Sequence, residues 1–498
     1  MNQPLLVILM SEEVESFDDD SMFSDLFKPG NNLLGYVLIL TSLILWFEGN
    51  NLRSLNILLV IIAVFWLVVK LLAKTKLFSK KETNFEKPSI KRKLKLLSFI
   101  LVILVAFLVL STTLALNFVD DFGGEPSSHD SPNFNDGTFE NTESTIMQSD
   151  EVSTWDLLGD YLVSDDCRSP NEELPSEEFK LIDLEDGEIS VTWFGHSTIL
   201  LRSNNVTIIT DPVFGDSGAG PLSLGPSPFP FEHSYSLDDL PEIDYVFISH
   251  DHYDHLDMNT VKELEDSLFF VPLGIKNHLL EWDIEEEKIQ ELDWYDEVDI
   301  SQDLHAALTP ARHFSGRGIS DSHSTLWGSW VFNFHETSIY FSGDTGYTDE
   351  FRNISEAFGP FDIAFLDSGQ YNLAWQQVHM LPDEVVQAGI DLNASLILPI
   401  HISKYELALH HWYEPMELVS TLGAERNVSV ATPLLGSSFI IGKEIPDDPW
   451  WRGVSECTEP FLDEYPALEY ALFYTGFVGV MWIVIPRFKK TNQPFEEE

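Results

Sequence analysis

Three histidines and three aspartates lie within the nine residues 249–257. This segment follows 244–248, a short run rich in aromatic and β-branched residues that predicts a buried strand. A cluster of imidazoles and carboxylates at the end of a strand offers nitrogen and oxygen donors in a loop that a substrate can reach. Such donors are typical of a zinc or iron site. The segment therefore predicts a metal centre at the edge of a β-sheet rather than a solvated polar loop.

Several other short motifs occur in a defined order along the chain. They are Trp193-Phe194-Gly195-His196-Ser197-Thr198, Thr210-Asp211-Pro212, Thr309-Pro310-Ala311-Arg312-His313, Leu326-Trp327-Gly328-Ser329-Trp330, Ser342-Gly343-Asp344-Thr345-Gly346-Tyr347 and Pro399-Ile400-His401. Together with His250-x-His252-x-Asp254-His255, they resemble the motifs of the metallo-β-lactamase superfamily. The set is similar to the branch that contains N-acyl-phosphatidylethanolamine phospholipase D and related bacterial zinc hydrolases. The resemblance covers residues 186–445 and implies an α/β fold, the αββα sandwich, with ligands in loops at one edge of its sheets.

The resemblance also implies which residues bind metal. Two zinc ions are expected, and iron or manganese suits the same kinds of ligand. One metal would be bound by His250, His252 and His313, the second by Asp254, His255 and His401, and Asp344 would bridge the two. Two metals that share one water lower its pKa, so a metal-bound hydroxide can attack an electrophile. Asp254 is therefore expected to serve catalysis as well as metal binding.

Three residues outside this ligand set are candidates for contacts with the substrate. The related phospholipases have a histidine at the place of His379, which implies a group that donates a hydrogen bond to a phosphoryl oxygen or protonates a leaving group. The alternative is a loop histidine whose hydrogen bonds are satisfied locally. Arg312 and Arg317 lie near His313 in a chain with few basic residues, and they predict a clamp for an anionic substrate.

Other polar residues near the motifs have predicted supporting roles. His196 and Asp211 are expected to orient metal ligands through hydrogen bonds. Asp257 either supports a ligand or caps the helix that follows it. The chain differs from the animal phospholipases of the branch at Asp251 and in the run 365–371. These differences leave the implied ligands intact.

The chain has 81 acidic and 28 basic residues, which gives a formal net charge of −53. Such a charge argues against nucleic acid or anionic lipid headgroups as a partner for the bulk of the protein, because like charges repel. Self-repulsion on this scale is tolerated where salt screens it, since the Debye length falls to ~3 Å at 1 M. The composition therefore favours a protein from a salt-adapted, halophilic organism.

Apolar runs outside the motif region predict a membrane protein of several spans. Residues 1–32 form an acidic tail, and four runs predict helices that cross the membrane: 33–47, 55–73, 96–118 and 467–485. The alternatives are a core or re-entrant helix for 33–47, and a helix packed on the catalytic domain for 467–485. The loop 70–95 holds ten of the 28 basic residues, which predicts a cytoplasmic loop and an extracellular catalytic domain.

Three further segments complete the predicted organisation. Residues 119–187 contain 20 acidic and two basic residues, a composition that predicts a disordered linker. Residues 188–445 form the catalytic domain, and 446–498 form a C-terminal segment. The two cysteines, Cys167 and Cys457, flank the domain; they can pair in an oxidising compartment or remain free thiols.

These observations predict a membrane-anchored hydrolase with two metals, and a phosphodiesterase similar to phospholipase D is the leading hypothesis. Its partners would be a small-molecule or lipid substrate and the membrane. A lactonase or amide hydrolase is the alternative, because the same ligands can direct attack on a carbonyl carbon. A non-catalytic membrane sensor or scaffold is the second alternative. It predicts lost ligands, whereas all seven implied ligands are present.

Overall fold

The structure, a computed structural model, describes residues 119–454 apart from 126, 150–151, 154–156, 158–166, 216–218, 222–224 and 319–320. The four predicted membrane spans, at 33–47, 55–73, 96–118 and 467–485, lie outside these residues and stay predictions. Within the described residues, no helix has the length and apolar character needed to cross a membrane.

Two β-sheets form the centre of the described domain. The first sheet has seven strands, in spatial order β15 (Ser438–Ile440), β3 (Ser190–Trp193), β4 (Ile199–Arg202), β5 (Thr207–Thr210), β6 (Tyr245–Phe247), β7 (Leu268–Pro272) and β8 (Ile289–Leu292). The second has six, in the order β14 (Ile397–Ile400), β13 (Ile363–Asp367), β12 (Thr337–Phe341), β11 (Ser329–Phe334), β10 (Leu304–Thr309) and β9 (Glu297–Asp299). Both sheets are mixed, since antiparallel hairpins lie beside parallel strands.

Helices cover the outer face of each sheet. The described α-helices are α1 (Met258–Glu263), α2 (Lys276–Glu281), α3 (Glu350–Phe358), α4 (Pro382–Asp391) and α5 (Glu414–Arg426). Apolar residues of α1 and α2 pack against the first sheet, and those of α3, α4 and α5 pack against the second. The predicted αββα sandwich is therefore confirmed.

The alternation of apolar side chains between the two faces of a strand explains why the sheets stack. In β6, Val246 packs under the outer helices, whereas Phe247 points into the layer between the sheets. The ring centroid of Phe247 lies 5.0 Å from that of Trp330 and 4.7 Å from that of Phe332, both in β11 of the other sheet. Successive residues of a strand face opposite sides, so one short strand contributes to two apolar layers.

Short hairpins and capped helix starts place the loops of the domain. The segments 198–210 and 329–342 form the antiparallel pairs β4–β5 and β11–β12. The carboxylate of Asp257 accepts a hydrogen bond from the backbone N–H of Thr260, so Asp257 caps α1. Pro382 begins α4, with acidic residues in its first turn where the helix dipole favours them.

The structure differs from the predicted disordered linker over parts of 119–187. The strands β1 (Phe134–Asn135) and β2 (Thr138–Phe139) form a small hairpin, and Phe139 is buried in the layer between the sheets. Leu174 is also buried there and donates its backbone N–H to the carbonyl of Pro230. A few apolar anchors and backbone hydrogen bonds thus outweigh the acidic composition. Cys167 is disulfide-bonded, while its predicted partner, Cys457, lies outside the described residues.

Candidate metal centre

The seven implied ligands come together at the carboxyl ends of four strands. His250, His252, Asp254 and His255 lie in the loop after β6, whereas His313, Asp344 and His401 follow β10, β12 and β14. Strands of the two stacked sheets that end at one edge bring their following loops together, so four distant parts of the chain meet in one place. The prediction of a metal centre at the edge of the sheets agrees with this arrangement.

One group consists of His250, His252, His313 and Asp344, whose ligand atoms lie within 4.8 Å of one another. Nδ1 of His252 is 2.8 Å from Nε2 of His250 and 3.3 Å from Nε2 of His313. An oxygen of Asp344 lies 3.7 Å from Nε2 of both His250 and His313. Three imidazole nitrogens and one carboxylate thus surround a common point, as a divalent cation requires.

A second group consists of Asp254, His255, His401 and His196, again with ligand atoms within 4.8 Å. Nε2 of His255 and of His401 lie 3.6 and 3.5 Å from the same oxygen of Asp254. Asp344 is close to this group as well, since its oxygens lie 3.2 Å from His255 and 3.3 Å from His401. Its carboxylate therefore stands between the two groups, at the place where a bridging ligand is needed.

Most of these histidines have their other ring nitrogen fixed by a neighbour. Nδ1 of His255 contacts Asp211 at 2.8 Å, and Nδ1 of His401 contacts Asp367 at 3.1 Å. Nδ1 of His313 donates to the carbonyl of Val378 at 3.0 Å. Such contacts orient each ring so that Nε2 faces the centre, where a neutral ring can bind a cation through this nitrogen. The geometry thus supports the predicted orienting role of Asp211.

His196 contacts the centre from the side of the first sheet. It is fully buried, and its Nε2 lies 2.8 Å from an oxygen of Asp254. Burial lowers its pKa to about 3, so the ring is neutral and donates from Nε2 to the carboxylate. This contact supports the prediction that His196 orients a ligand.

Burial and charge make the centre a place that favours positive charge. Burial alone would raise the pKa of the Asp344 carboxyl, but His255 and His401 hold it well below its usual range. Conversely, burial holds the pKa of His250 and His313 well below the usual range, so both rings are neutral donors. Burial alone would also lower the pKa of His255 and His401, but the carboxylate of Asp344 raises both, that of His401 to about 10. These two rings therefore hold protons that a bound cation would displace.

Several inward-facing atoms make no hydrogen bond within the described residues. They are Nε2 of His255, Oδ1 of Asp344 and Nε2 of His401, all of them buried. A buried polar atom without a partner costs free energy, typically ~1–3 kcal/mol. Coordination to a cation would satisfy all three atoms, so Asp344 and the histidines of the second group fit a metal.

A pocket of about 440 Å³ opens onto the centre. Its walls combine ligand residues with apolar side chains, namely Met147, Phe314, Trp375, Val378 and Leu407. His379 also lines it, with a ring centroid 5.0 Å from those of both His313 and His401. Nδ1 of His379 lies 2.9 Å from an oxygen of Asp367. The predicted non-ligand histidine therefore lies in the wall of the pocket, beside two of the implied ligands.

Arg312 and Arg317, the predicted substrate clamp, are not among the described residues that line this pocket, and the clamp stays a prediction. Arg317 is 4% exposed, and its guanidinium donates to the carbonyls of Asp121, Asp251 and Leu256. Arg312 donates to the carbonyls of Ser144 and Tyr347 and to side chains beside them. Both guanidiniums fix loops, since buried backbone carbonyls near the centre need donors.

Two residues with evident roles in the site were missed by sequence reasoning. The carboxylate of Asp367 contacts both His379 and His401, at 2.9 and 3.1 Å. The side-chain amide of Asn141 donates to the carbonyl of His313 at 2.8 Å and accepts from its N–H at 3.1 Å. The position of Asp367 at the end of the apolar strand β13, as for the other ligand strands, was a usable signal. Asn141 lies 172 positions from His313 and offered none.

The fold and the site define a class of metal-dependent hydrolases, and comparison with known proteins agrees. Residues 206–402 match the Beta-lactamase superfamily domain. The chain is 37% identical over 341 residues to an uncharacterized protein of Mycobacterium tuberculosis, which covers 65% of this chain and 88% of that protein. It is 34% identical over 250 residues to N-acyl-phosphatidylethanolamine-hydrolyzing phospholipase D 1 of Caenorhabditis elegans, over 46% of this chain and 68% of that protein.

Among solved structures, Igni18, a metallo hydrolase of Ignicoccus hospitalis, is similar at 20% sequence identity and a TM-score of 0.38. The similarity spans 52% of this chain and 100% of that one. The sequence similarity to these relatives shows that the chain belongs to the metallo-β-lactamase superfamily. It is a metal-dependent hydrolase of that superfamily.

Proposed function

We propose that this protein is a membrane-anchored phosphodiesterase that uses two zinc ions and acts on phospholipid-like diesters. The name of the Caenorhabditis elegans relative, a phospholipase D, supports the reaction class. Two ligand groups that share Asp344 support a pair of metals. When bound, the metals would activate a water and stabilise negative charge on the phosphoryl oxygens.

The observation that carries this proposal is the pair formed by His379 and Asp367 in the pocket wall. Asp367 holds Nδ1 of His379, so Nε2 is left for the substrate. In its protonated form, this imidazole can donate a proton to the leaving alkoxide of a phosphodiester, and it can later recover that proton from solvent. Because Asp367 also holds His401, the proton donor and a metal ligand are fixed by the same carboxylate.

The pocket suits a substrate with one anionic centre and an apolar body. No lysine or arginine is among its described lining residues, so imidazoles and metals would be the cationic groups that meet a phosphoryl group. The apolar walls formed by Met147, Trp375 and Leu407 suit acyl chains. A phosphodiester fits a pocket with few cationic groups and apolar walls, because its single negative charge needs less cationic surface than the two charges of a monoester.

The location of the domain is part of the same proposal. The basic loop 70–95 favours a cytoplasmic connection between two membrane spans, and the catalytic domain would then face the outside of the cell. A protease added to intact cells is expected to cleave the catalytic domain while the loop 70–95 stays protected. Protection of the catalytic domain would contradict this topology without bearing on the reaction.

The reaction is tested on the full chain, purified in non-ionic detergent and molar salt and supplied with zinc. Bis(p-nitrophenyl) phosphate and a panel of lactones are assayed in parallel, first for the wild type and then for His379→Ala. We expect diester cleavage that falls ~10²-fold or more in the variant, the usual contribution of a positioned acid. Lactone cleavage without diester cleavage would replace this proposal with the carbonyl hydrolase alternative.

A further inference from the structure

A second cavity, of about 420 Å³, is lined by Phe194, by residues of 213–215 and 227–235, and by Lys404. The two cavities share none of their described lining residues. This cavity is lined mainly by aromatic residues and prolines, among them Phe194, Phe214, Phe229 and Tyr235. Its volume is within the ~300–1,000 Å³ that is usual for small-molecule sites. It is therefore large enough to hold a ligand of its own.

Lys404 supplies the one cationic side chain among the described residues that line this cavity. The residue is 6% exposed, and its Nζ donates a hydrogen bond to the carbonyl of Val213 at 2.6 Å. Within the described residues, no carboxylate lies within 4.0 Å of this ammonium. A buried charge without a nearby counter-charge is costly. Among the described residues, the carboxylate of Asp257 acts on this ammonium only from beyond that distance.

The surroundings of Lys404 are apolar and aromatic. Nζ lies 5.8 Å from the ring centroid of Phe214, which packs edge-on against Phe194 at 5.5 Å. The ring of Phe194 in turn packs against that of Tyr235, with their centroids 5.0 Å apart. Burial lowers the pKa of Lys404 to about 8, which reflects the cost of keeping the ammonium in such a place. An anion beside Nζ would recover that cost.

We propose that this cavity binds a fatty acid, with its acyl chain against the aromatic walls and its carboxylate on Nζ of Lys404. One ammonium matches the single charge of a carboxylate. A phosphate monoester, with close to two charges and more oxygens, needs more donors than Lys404 provides. The apolar walls need an apolar ligand, and the lysine needs an anion, so an amphiphile satisfies both. This binding site does not depend on the reaction proposed for the metal centre.

The test is equilibrium dialysis of radiolabelled decanoate against the full-length chain in non-ionic detergent, with a detergent-only chamber as the blank. Three proteins are compared: the wild type, Lys404→Met and the control Lys288→Met. Methionine keeps the length and apolar volume of the lysine stem, while Lys288 is a surface residue that pairs with Asp266. We expect saturable binding to the wild type and to Lys288→Met, and a dissociation constant at least ~10-fold higher for Lys404→Met.

Two competitors identify the ligand chemistry. Decyl phosphate should displace labelled decanoate less well than unlabelled decanoate does. Decanol should bind with similar affinity to the wild type and to Lys404→Met, because it carries no charge. Better displacement by decyl phosphate would overturn the choice of a carboxylate. Equal binding of decanoate to Lys404→Met and the wild type would overturn the role of the lysine.

A second variant keeps the test decisive if Lys404→Met does not fold. Ser234 lines the cavity and is exposed, so Ser234→Trp should fill its mouth while leaving Lys404 unchanged. We expect this variant to lose decanoate binding and to keep its zinc content. Unchanged decanoate binding in Ser234→Trp would show that the fatty acid binds elsewhere, and no saturable binding to the wild type would overturn the proposal.

Discussion

The two candidate metal groups differ in the hydrogen-bond partners of their histidines, on the side of each ring that faces away from the centre. In the first group, Nδ1 of His250 contacts the hydroxyl of Ser249 and Nδ1 of His313 contacts a backbone carbonyl, so both partners are neutral. In the second group, His255 and His401 contact buried carboxylates, those of Asp211 and Asp367. The second group also includes a carboxylate ligand of its own, Asp254.

This difference indicates that the two groups would bind metal with unequal strength. A carboxylate behind an imidazole makes the ligand more basic and stabilises positive charge in front of it. Buried carboxylates interact strongly with a cation because the surrounding dielectric constant is low. We therefore expect the second group to hold zinc more tightly, and the first group to lose zinc first on dialysis against a weak chelator.

The largest effect is expected for Asp344→Ala, which removes the carboxylate shared by both groups. Its oxygens lie 3.2–3.7 Å from histidines of both groups, so both should bind zinc more weakly. Loss of both metals removes several kcal/mol of charge stabilisation, and activity should fall ~10³-fold or more. Zinc content and diester cleavage are measured together, with Asp349→Ala as the exposed control. Retention of both zinc ions would show that the groups are independent.

Asp367→Asn should have the next largest effect, because it weakens the contacts of two histidines at once. We expect a ~10–100-fold lower zinc affinity of the second group, as for other residues that support metal ligands, together with a lower turnover number. The matched control is Asp362→Asn, an exposed residue near the start of the same strand. Unchanged zinc affinity would mean that the carboxylates behind the histidines do not cause the difference between the groups.

A direct comparison of the two groups uses Asp211→Asn and Ser249→Ala. Asp211→Asn replaces the carboxylate behind His255, and we expect a ~10–100-fold loss of zinc affinity in the second group. Ser249→Ala removes the hydroxyl behind His250. A neutral hydrogen bond of ~1 kcal/mol predicts only about a fivefold loss of zinc affinity in the first group. Competition with a zinc-binding dye measures both, and a larger effect of Ser249→Ala would reverse the comparison.

The smallest effect on catalysis is expected for Asn141→Ala. This change removes two hydrogen bonds to the backbone of His313 and should lower the free energy of unfolding by ~1–3 kcal/mol. Zinc in the first group should dissociate somewhat faster, while the second group stays unchanged. Chemical denaturation and zinc release are measured beside Asn135→Ala, an exposed residue of the β1–β2 hairpin. Equal stability of both variants would show that Asn141 does not support the ligand loop.

The seven residues that meet at the centre were predictable because each follows an apolar strand within a short motif, as His250 follows β6 and Asp344 follows β12. The spacing within a motif and the ends of apolar strands can be read from the sequence. The sheets then bring the loops after these strands together at one edge. Residues whose roles depend on distant partners were not predictable in the same way. Arg317 was assigned to substrate because of its charge, but in the fold it faces three backbone carbonyls. Composition likewise predicted disorder for a segment that a few anchors, such as Phe139, tie to the domain.

The loops of the centre come from both sheets, and this has a consequence for folding. Four ligands follow β6 of the first sheet, and three follow strands of the second, where the bridge between His196 and Ile402 already joins the two halves. A cation bound here would act as a cross-link that closes long stretches of chain, as a disulfide does. Because such a link forms only from free metal, the supply of metal in the surroundings would set how firmly the two sheets stay together.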